Sequence, residues 1–319
     1  MKRVYKWVLC LGLIFLLAGC APDATDTYGR TIIRIAYLPI THSAAVMVLP
    51  EVTRDDERFA VELVRFTAWP EVVEALRSGR VDGASMLLEV AFRASETNDA
   101  LVSISLSHRD GNVIVVDNTI ESYHDLIGRT IAIPHTLSPH NTLLRMVLER
   151  EGIDIDDVNI IEISPAEMPF TMAARAISAF VVAEPWGSLA EVRGIGRILE
   201  TSNEIIPCSV CCLLVFNSNL LMEHEGLLDW LLCQFELAAA YAHAMDDVVF
   251  DAFRRSARFE REIIAQSLEI TNFENLIFTR EDFDEITNAI LRFDIMSRVP
   301  NFDDFVINHE VRGCCHENP

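Results

Sequence analysis

From Thr31 onward, short apolar runs rich in Val and Ile alternate with stretches whose apolar residues recur at helical spacing. Ile32 to Leu38, Val61 to Phe66, Val81 to Leu87 and Leu101 to Leu106 are bounded by Gly, Pro or polar residues and read as buried strands. Val72, Val73 and Leu76 stand in helical register, which predicts a helix over Trp69 to Ser78 closed by Gly79. Strand and helix alternating in this order predict a parallel α/β sheet.

A second α/β set follows. Thr130 to Ile133, Val158 to Ile163 and Ala179 to Ala183 read as strands, with helices over Asn141 to Glu151 and near Glu167 to Ala176. Cys212 to Phe216 is a further strand, and from Leu220 the pattern is mostly helical, with stretches over Leu227 to Met245, Glu260 to Ser267 and Arg280 to Phe293. At 319 residues the chain accommodates two lobes of this kind.

The first twenty residues differ from the rest. A cationic start (Lys2, Arg3, Lys6) leads into an apolar run ending Leu17-Ala18-Gly19-Cys20, the pattern of a secretory signal whose last four residues resemble a bacterial lipobox. Residues 1–19 are thus expected to be removed, Cys20 to carry lipid, and residues 20–30 to serve as a tether. Removal would lower the net charge from −22 to −25 and leave no lysine, since Lys2 and Lys6 are the only two. That sign opposes the counterion release that drives nucleic-acid binding, and lysine Schiff-base chemistry is excluded.

Several loops at strand ends are more distinctive than the strands: Tyr37-Leu38-Pro39-Ile40-Thr41-His42, Ala68-Trp69-Pro70-Glu71, Asp82-Gly83-Ala84-Ser85, His108-Arg109-Asp110-Gly111-Asn112, Ala132-Ile133-Pro134-His135 running to Ser138-Pro139-His140-Asn141, and Ala183-Glu184-Pro185-Trp186. In this order and spacing they resemble the solute-binding proteins of ATP-driven importers for nitrate, bicarbonate, sulfonates and taurine, a group that includes binders of thiamine pyrimidine precursors. The resemblance runs from about residue 31 to about 230. It departs where Ala44 to Arg58 is shorter than the first helix usual in such proteins.

The resemblance implies an α/β, two-lobed periplasmic-binding-protein fold of type II, with two chain crossovers and a helical C-terminal region. The crossings are expected near Gly111 to Asp117 and Cys211 to Phe216, which assigns 31–112 with 217–300 to one lobe, 113–216 to the other and 301–319 to a tail. It further implies a monomeric, extracytoplasmic receptor, lipid-anchored through Cys20, that captures a small polar solute and delivers it unaltered to a membrane permease and its ATPase. No cofactor and no metal are expected on this reading.

Strand ends and helix starts are where such a solute would sit. His42 begins a helix whose free backbone N–H groups favour an anion, or is a solvated loop residue. Trp69 offers a face for stacking, or packs in the core. Arg109 is the clearest cation for an anionic solute, although its place beside a crossing favours an internal ion pair. His135, Ser138, His140 and Asn141 surround a helix start where Ser138 or Asn141 can be spent on capping. Glu184 would favour an amine or aminopyrimidine over an anion, or bonds the hinge. Thr41 and Ser85 complete the candidates. His135 and His140 are too poorly spaced for a metal, one C-x2-C is too little for a zinc ribbon, and Cys211 and Cys212 read as small buried packing. The alternative is an enzyme of the same fold that makes the thiamine pyrimidine from pyridoxal phosphate with iron, which Cys208 to Cys212 suggests and the lysine-free mature chain disfavours.

Overall fold

The computed structural model describes residues 25–98 and 100–307 of the 319. The signal segment 1–19, Cys20, Cys314 and Cys315 lie outside the described residues, as does the first part of the tether. Twelve strands are described: β1 (Thr31–Tyr37), β2 (Phe59–Arg65), β3 (Gly83–Leu87), β4 (Leu101–Leu106), β5 (Arg109–Asp110), β6 (Asn112–Val116), β7 (Thr130–Ile133), β8 (Asn159–Glu162), β9 (Ala179–Ala183), β10 (Arg197–Thr201), β11 (Cys212–Asn217) and β12 (Thr271–Asn272). They form one sheet in the order β2-β1-β3-β11-β4, a second in the order β10-β6-β9-β7-β8, and a short ribbon of β12 with β5.

The period of two along β1 sorts its side chains onto two cores. Ile33, Ile35 and Tyr37 face the helices Ala44–Val52 and Leu227–His243, whereas Ala36 faces the cluster built on Trp69, Val72, Leu76, Phe278 and Phe283. β3, β4 and β11 are buried almost throughout, whereas the edge strand β2 leaves Glu62 and Arg65 exposed. The C-terminal region supplies much of this cover. Its last described turn, Phe302–Phe305, is included: Phe302 and Phe305 are buried and Ile307 N–H donates to Ser103 O at 2.9 Å. Residues 302–307 therefore belong to the first core and not to a tail.

The sheets are mixed rather than parallel. β1 pairs parallel with β2 and β3, and β7 with β8 and β9, as βαβ units require, but β11 runs antiparallel to β3 and β4, and β6 antiparallel to β9 and β10. Both exceptions are strands entered directly from the other half of the molecule, so their direction is set by the crossing and not by a returning helix. β11 pairs wholly within the first sheet, so residues 212–216, expected in the second lobe, belong to the first. The helix Leu88–Ser95 and strand β10 were not anticipated from the pattern.

The two passages between the sheets lie side by side. Ser107 N–H donates to Cys212 O at 2.8 Å, Asp110 N–H to Ser209 O at 2.9 Å, and the Asp110 carboxylate accepts from the Ser209 N–H and hydroxyl and from Asn203. Gly111 has φ 79°, and a Cβ there would fall 2.6 Å from Thr271 Oγ1 and 3.0 Å from His42 Nε2, so the close approach of the passage to the His42 turn requires glycine. Arg109 spends every donor on this junction: a bidentate pair with Asp282 at 2.8 and 2.9 Å, and bonds to the carbonyls of Asn275, Cys208 and Ile277. It is a hinge tie with nothing left for an anionic solute. Burial pushes the Asp282 carboxyl up, and Arg109 outweighs it, holding the group below the usual carboxylate range.

Arg109→Met leaves a half-buried carboxylate and three carbonyls without their donor, and should cost about 3 kcal/mol of folding stability. Urea unfolding at pH 7 measures it; a loss under about 1 kcal/mol would mean that water replaces the guanidinium at this junction.

Candidate ligand centre between the two sheets

Five strand or helix ends converge where the sheets face each other. β1 leads into the short turn Thr41–Ser43, which presents His42; β4 leads to His108, two residues past its end; β11 starts at Cys212 with Cys211 before it; the helix Pro139–Arg150 carries His140 in its first turn; and β9 is followed directly by Glu184. Each of these six side chains is at most 1% exposed.

His42 anchors the group. Its Nε2 lies 2.8 Å from Gly111 O, which only accepts, so in the neutral ring Nε2 carries the proton and Nδ1 offers a lone pair. Nδ1 faces Cys211 Sγ at 3.6 Å and Cys212 Sγ at 3.7 Å, and the two sulfurs are 3.7 Å apart as free thiols. The His108 ring stacks on His42 with centroids 3.7 Å apart. Burial, and then the neighbouring His42 ring, bring the His108 imidazole down to about 4, so it is neutral at physiological pH. Burial does the same to His140, also to about 4. For the adjacent thiols, burial works against ionisation of both. The hydrogen bond from Cys212 and the His42 ring nevertheless bring Cys211 well below the ordinary thiol value, and that same bond adds to burial in raising Cys212.

Polar atoms with no hydrogen-bond partner gather around this centre, and they come from both halves: Ser43 Oγ, Trp69 Nε1, Glu89 Oε2 and both nitrogens of His108 from the first, Asn112 Nδ2, both nitrogens of His140 and Ser188 Oγ from the second. An unpaired buried polar atom costs about 1–3 kcal/mol, so so many in one region mark a place shaped for something other than the protein's own groups. Glu89 keeps one bond, from Thr142 at 3.1 Å, and burial pushes its carboxyl up to about 8. Glu184 accepts the Ser188 N–H, while its backbone oxygen accepts the Thr41 N–H at 2.8 Å, tying the second sheet to the turn that carries His42.

The candidates read from the sequence divide accordingly. His42, His140, Glu184 and Trp69 are buried where the halves meet, Trp69 within the apolar cluster that takes in Leu137, Ala183 and Trp186 of the second half. Thr41 Oγ1 is spent on Ser267 at 2.9 Å and Ser85 on Ser107 at 2.9 Å. Ser138 caps the helix Pro139–Arg150, Asn141 bonds Thr136 O and Arg145, and the half-buried His135 takes the Leu137 N–H. These serve local structure. His108, Cys211, Cys212, Glu89 and Asn112 were not read as site residues. Cys211 and Cys212 are buried within the first apolar cluster, as expected, and their sulfurs also face imidazole and each other. The reading that set metal aside looked for spaced pairs along the chain, whereas His42, His108 and the two cysteines come from three separate segments and form one group, with one ligand atom of each lying within 4.8 Å of the others. The strand-end position of His108, in the same motif as Arg109, was the available signal.

Comparison with known proteins agrees with this architecture. The model of the NMT1-like family matches residues 27–246. The ligand-binding component of an ABC-type import system from Staphylococcus aureus, solved with zinc bound, superimposes with a TM-score of 0.81 at 30% identity, over 86% of this chain and 96% of that one. The periplasmic aliphatic sulphonate binding protein SsuA of Escherichia coli gives a TM-score of 0.72 at 16% identity, covering 94% and 97%, a likeness of fold. In sequence, the bicarbonate transport ATP-binding protein CmpC of Synechocystis is 30% identical over an alignment 201 positions long that covers 54% of this chain and 29% of that protein's length.

Because burial raises the Glu184 carboxyl to about 7 while its unfolded value is near 4.5, the fold favours the protonated acid. Its contribution is full below about pH 4.5, is lost as pH rises towards 7, and is flat beyond. Glu184→Gln removes this dependence, so between pH 5 and pH 8 the variant should gain roughly 2–3 kcal/mol on the parent in urea unfolding. Parallel stability curves would mean that the carboxylate is already ionised in the folded chain.

Proposed function

The chain belongs to the NMT1-like family, and from that premise we propose that it is the extracytoplasmic solute-binding component of an ABC import system, held to the membrane by lipid on Cys20. The observation that carries the reading is the set of unpartnered polar atoms buried between the sheets and drawn from both halves. A receptor that grips its solute in a closing cleft needs donors and acceptors on both walls, and they are left unpaired when the solute is absent from the closed form. The relatives' printed roles in import support the same class.

The activity is capture and release without chemistry. Trp69 Nε1 and Asn112 Nδ2 are donors, Ser43 and Ser188 hydroxyls give or accept, and His140 does either according to tautomer. Arg109 is engaged with Asp282, and burial raises the Glu184 carboxyl to about 7, so that a good part of it is uncharged near neutral pH. This set favours a small solute with several hydrogen-bonding atoms and little net charge, of the kind a thiamine pyrimidine precursor represents, over a simple inorganic anion. Permease and ATPase are the expected partners of the loaded form.

Calorimetric titration with nitrate, bicarbonate, taurine, alkanesulfonates and hydroxymethyl- or formylamino-pyrimidines tests the reading. Micromolar binding of one of them, recovered unchanged and weakened about tenfold or more by Asn112→Ala, is expected. Conversion of the bound compound, or affinity indifferent to Asn112 and Trp69 alike, would overturn it.

A further inference from the structure

Two thiol protons are too few for the contacts that the cysteine sulfurs make. Cys211 Sγ approaches His42 Nδ1 at 3.6 Å, Cys212 Sγ at 3.7 Å and Asn112 Oδ1 at 3.7 Å, and Cys212 Sγ approaches His42 Nδ1 at 3.7 Å. His42 does not raise that number: its Nε2–H is given to Gly111 O, and a proton on Nδ1 would be one that a thiol has given up. Four contacts share two hydrogens, so hydrogen bonding leaves two unexplained. A tetrahedral ion accounts for the three contacts among Cys211, Cys212 and His42: with Zn–S of about 2.3 Å and Zn–N of about 2.0–2.1 Å, the sulfur–nitrogen edges are about 3.6 Å and the sulfur–sulfur edge about 3.8 Å. The three edges among Cys211, Cys212 and His42 match those lengths. His108, stacked on His42 and with a ligand nitrogen within 4.8 Å of the other three donor atoms, supplies the fourth donor.

We infer that His42, His108, Cys211 and Cys212 form a closed four-ligand site for one thiophilic divalent ion of the Zn2+ class, carried by the first lobe as the floor of the cleft. Charge selects the valence: two thiolates and two neutral imidazoles cancel a divalent ion, whereas a monovalent one leaves a net negative charge in a fully buried site beside Glu89. Two sulfur and two nitrogen donors in tetrahedral array select zinc among the divalent ions. The location follows from the segments. His42 lies in the turn after β1, His108 follows β4, and Cys211 and Cys212 stand at the start of β11, all strands of the first sheet, while His140, Asn112 and Glu184 reach the region from the second. Parting of the lobes leaves all four ligands together. The ion is therefore resident, ties both chain passages to the His42 turn, and stays behind when a solute leaves.

The full chain, reduced and stripped with a chelator, is titrated with Co2+ and then with Zn2+. One equivalent of Co2+ should give a near-ultraviolet sulfur-to-cobalt charge-transfer band with the intense visible bands of a tetrahedral ion, displaced by one equivalent of Zn2+. Cys211→Ser and Cys212→Ser should each weaken Zn2+ by more than the roughly 10–100-fold typical of an outer-shell loss, and His140→Ala by less than about tenfold. A weak octahedral cobalt spectrum without charge transfer overturns the site. A His140→Ala loss as large as that of the cysteine variants overturns its residence on the first lobe. The spectrum is read on the unaltered sequence, so a cysteine variant that fails to fold does not affect it. A chain that captures a solute but shows no cobalt–sulfur band keeps the import reading and loses the ion centre.

Discussion

Where the chain passes between its two sheets, the two passages are bonded to each other, and everything at the centre of the molecule depends on that contact. Asp110 holds Ser209, Ser107 holds Cys212, and Arg109 clasps Asp282 on the helix Arg280–Arg292 of the C-terminal region. Because these bonds fix the start of β11 beside the end of β4, Cys211 and Cys212 arrive next to His108. The glycine at 111 then lets the His42 turn close over them. A cluster drawn from residues 42, 108, 211 and 212 is thus a product of the crossings and of no local motif.

This explains which parts were legible in the sequence. Strands β4, β7 and β9 carry apolar runs bounded by turn residues, and their limits follow directly from period and punctuation. The helix Trp69–Arg77, with Pro70 in its first turn, is equally plain. Strand direction was not legible, because an apolar run such as Cys212–Asn217 reads the same whether it follows a helix or a crossing. Leu88–Ser95 was missed because it follows β3 without a turn residue. The strand-end loops named the right region, and His42, His140 and Glu184 with it. Within that region the role of each residue depends on partners tens of residues away. Arg109 reads as a ligand for an anion until Asp282, 173 positions on, is seen to take its guanidinium.

The energetic pattern separates the hinge from the cleft. At the hinge each buried charge is answered: Arg109 by a carboxylate and three carbonyls, Asp110 by three donors. Close by, His108, His140 and the Asn112 amide are buried with unanswered atoms, and a stable core does not tolerate several such groups unless another species completes them. A resident ion on the first lobe accounts for the thiols and two imidazoles, and a solute gripped from both sides accounts for Trp69, Asn112, His140 and Ser188. Ser43 Oγ and Glu89 Oε2 apart, the two occupants divide these unpaired atoms between them, and the ion gives the cleft a rigid, electrically neutral floor.

That the centre is built around bound species and not around its own side chains is tested most directly by X-ray absorption at the zinc edge of the full-length chain loaded with one equivalent of the ion. Two sulfurs at about 2.3 Å and two nitrogens at about 2.0–2.1 Å are predicted. A shell of six light atoms with no sulfur would contradict the account.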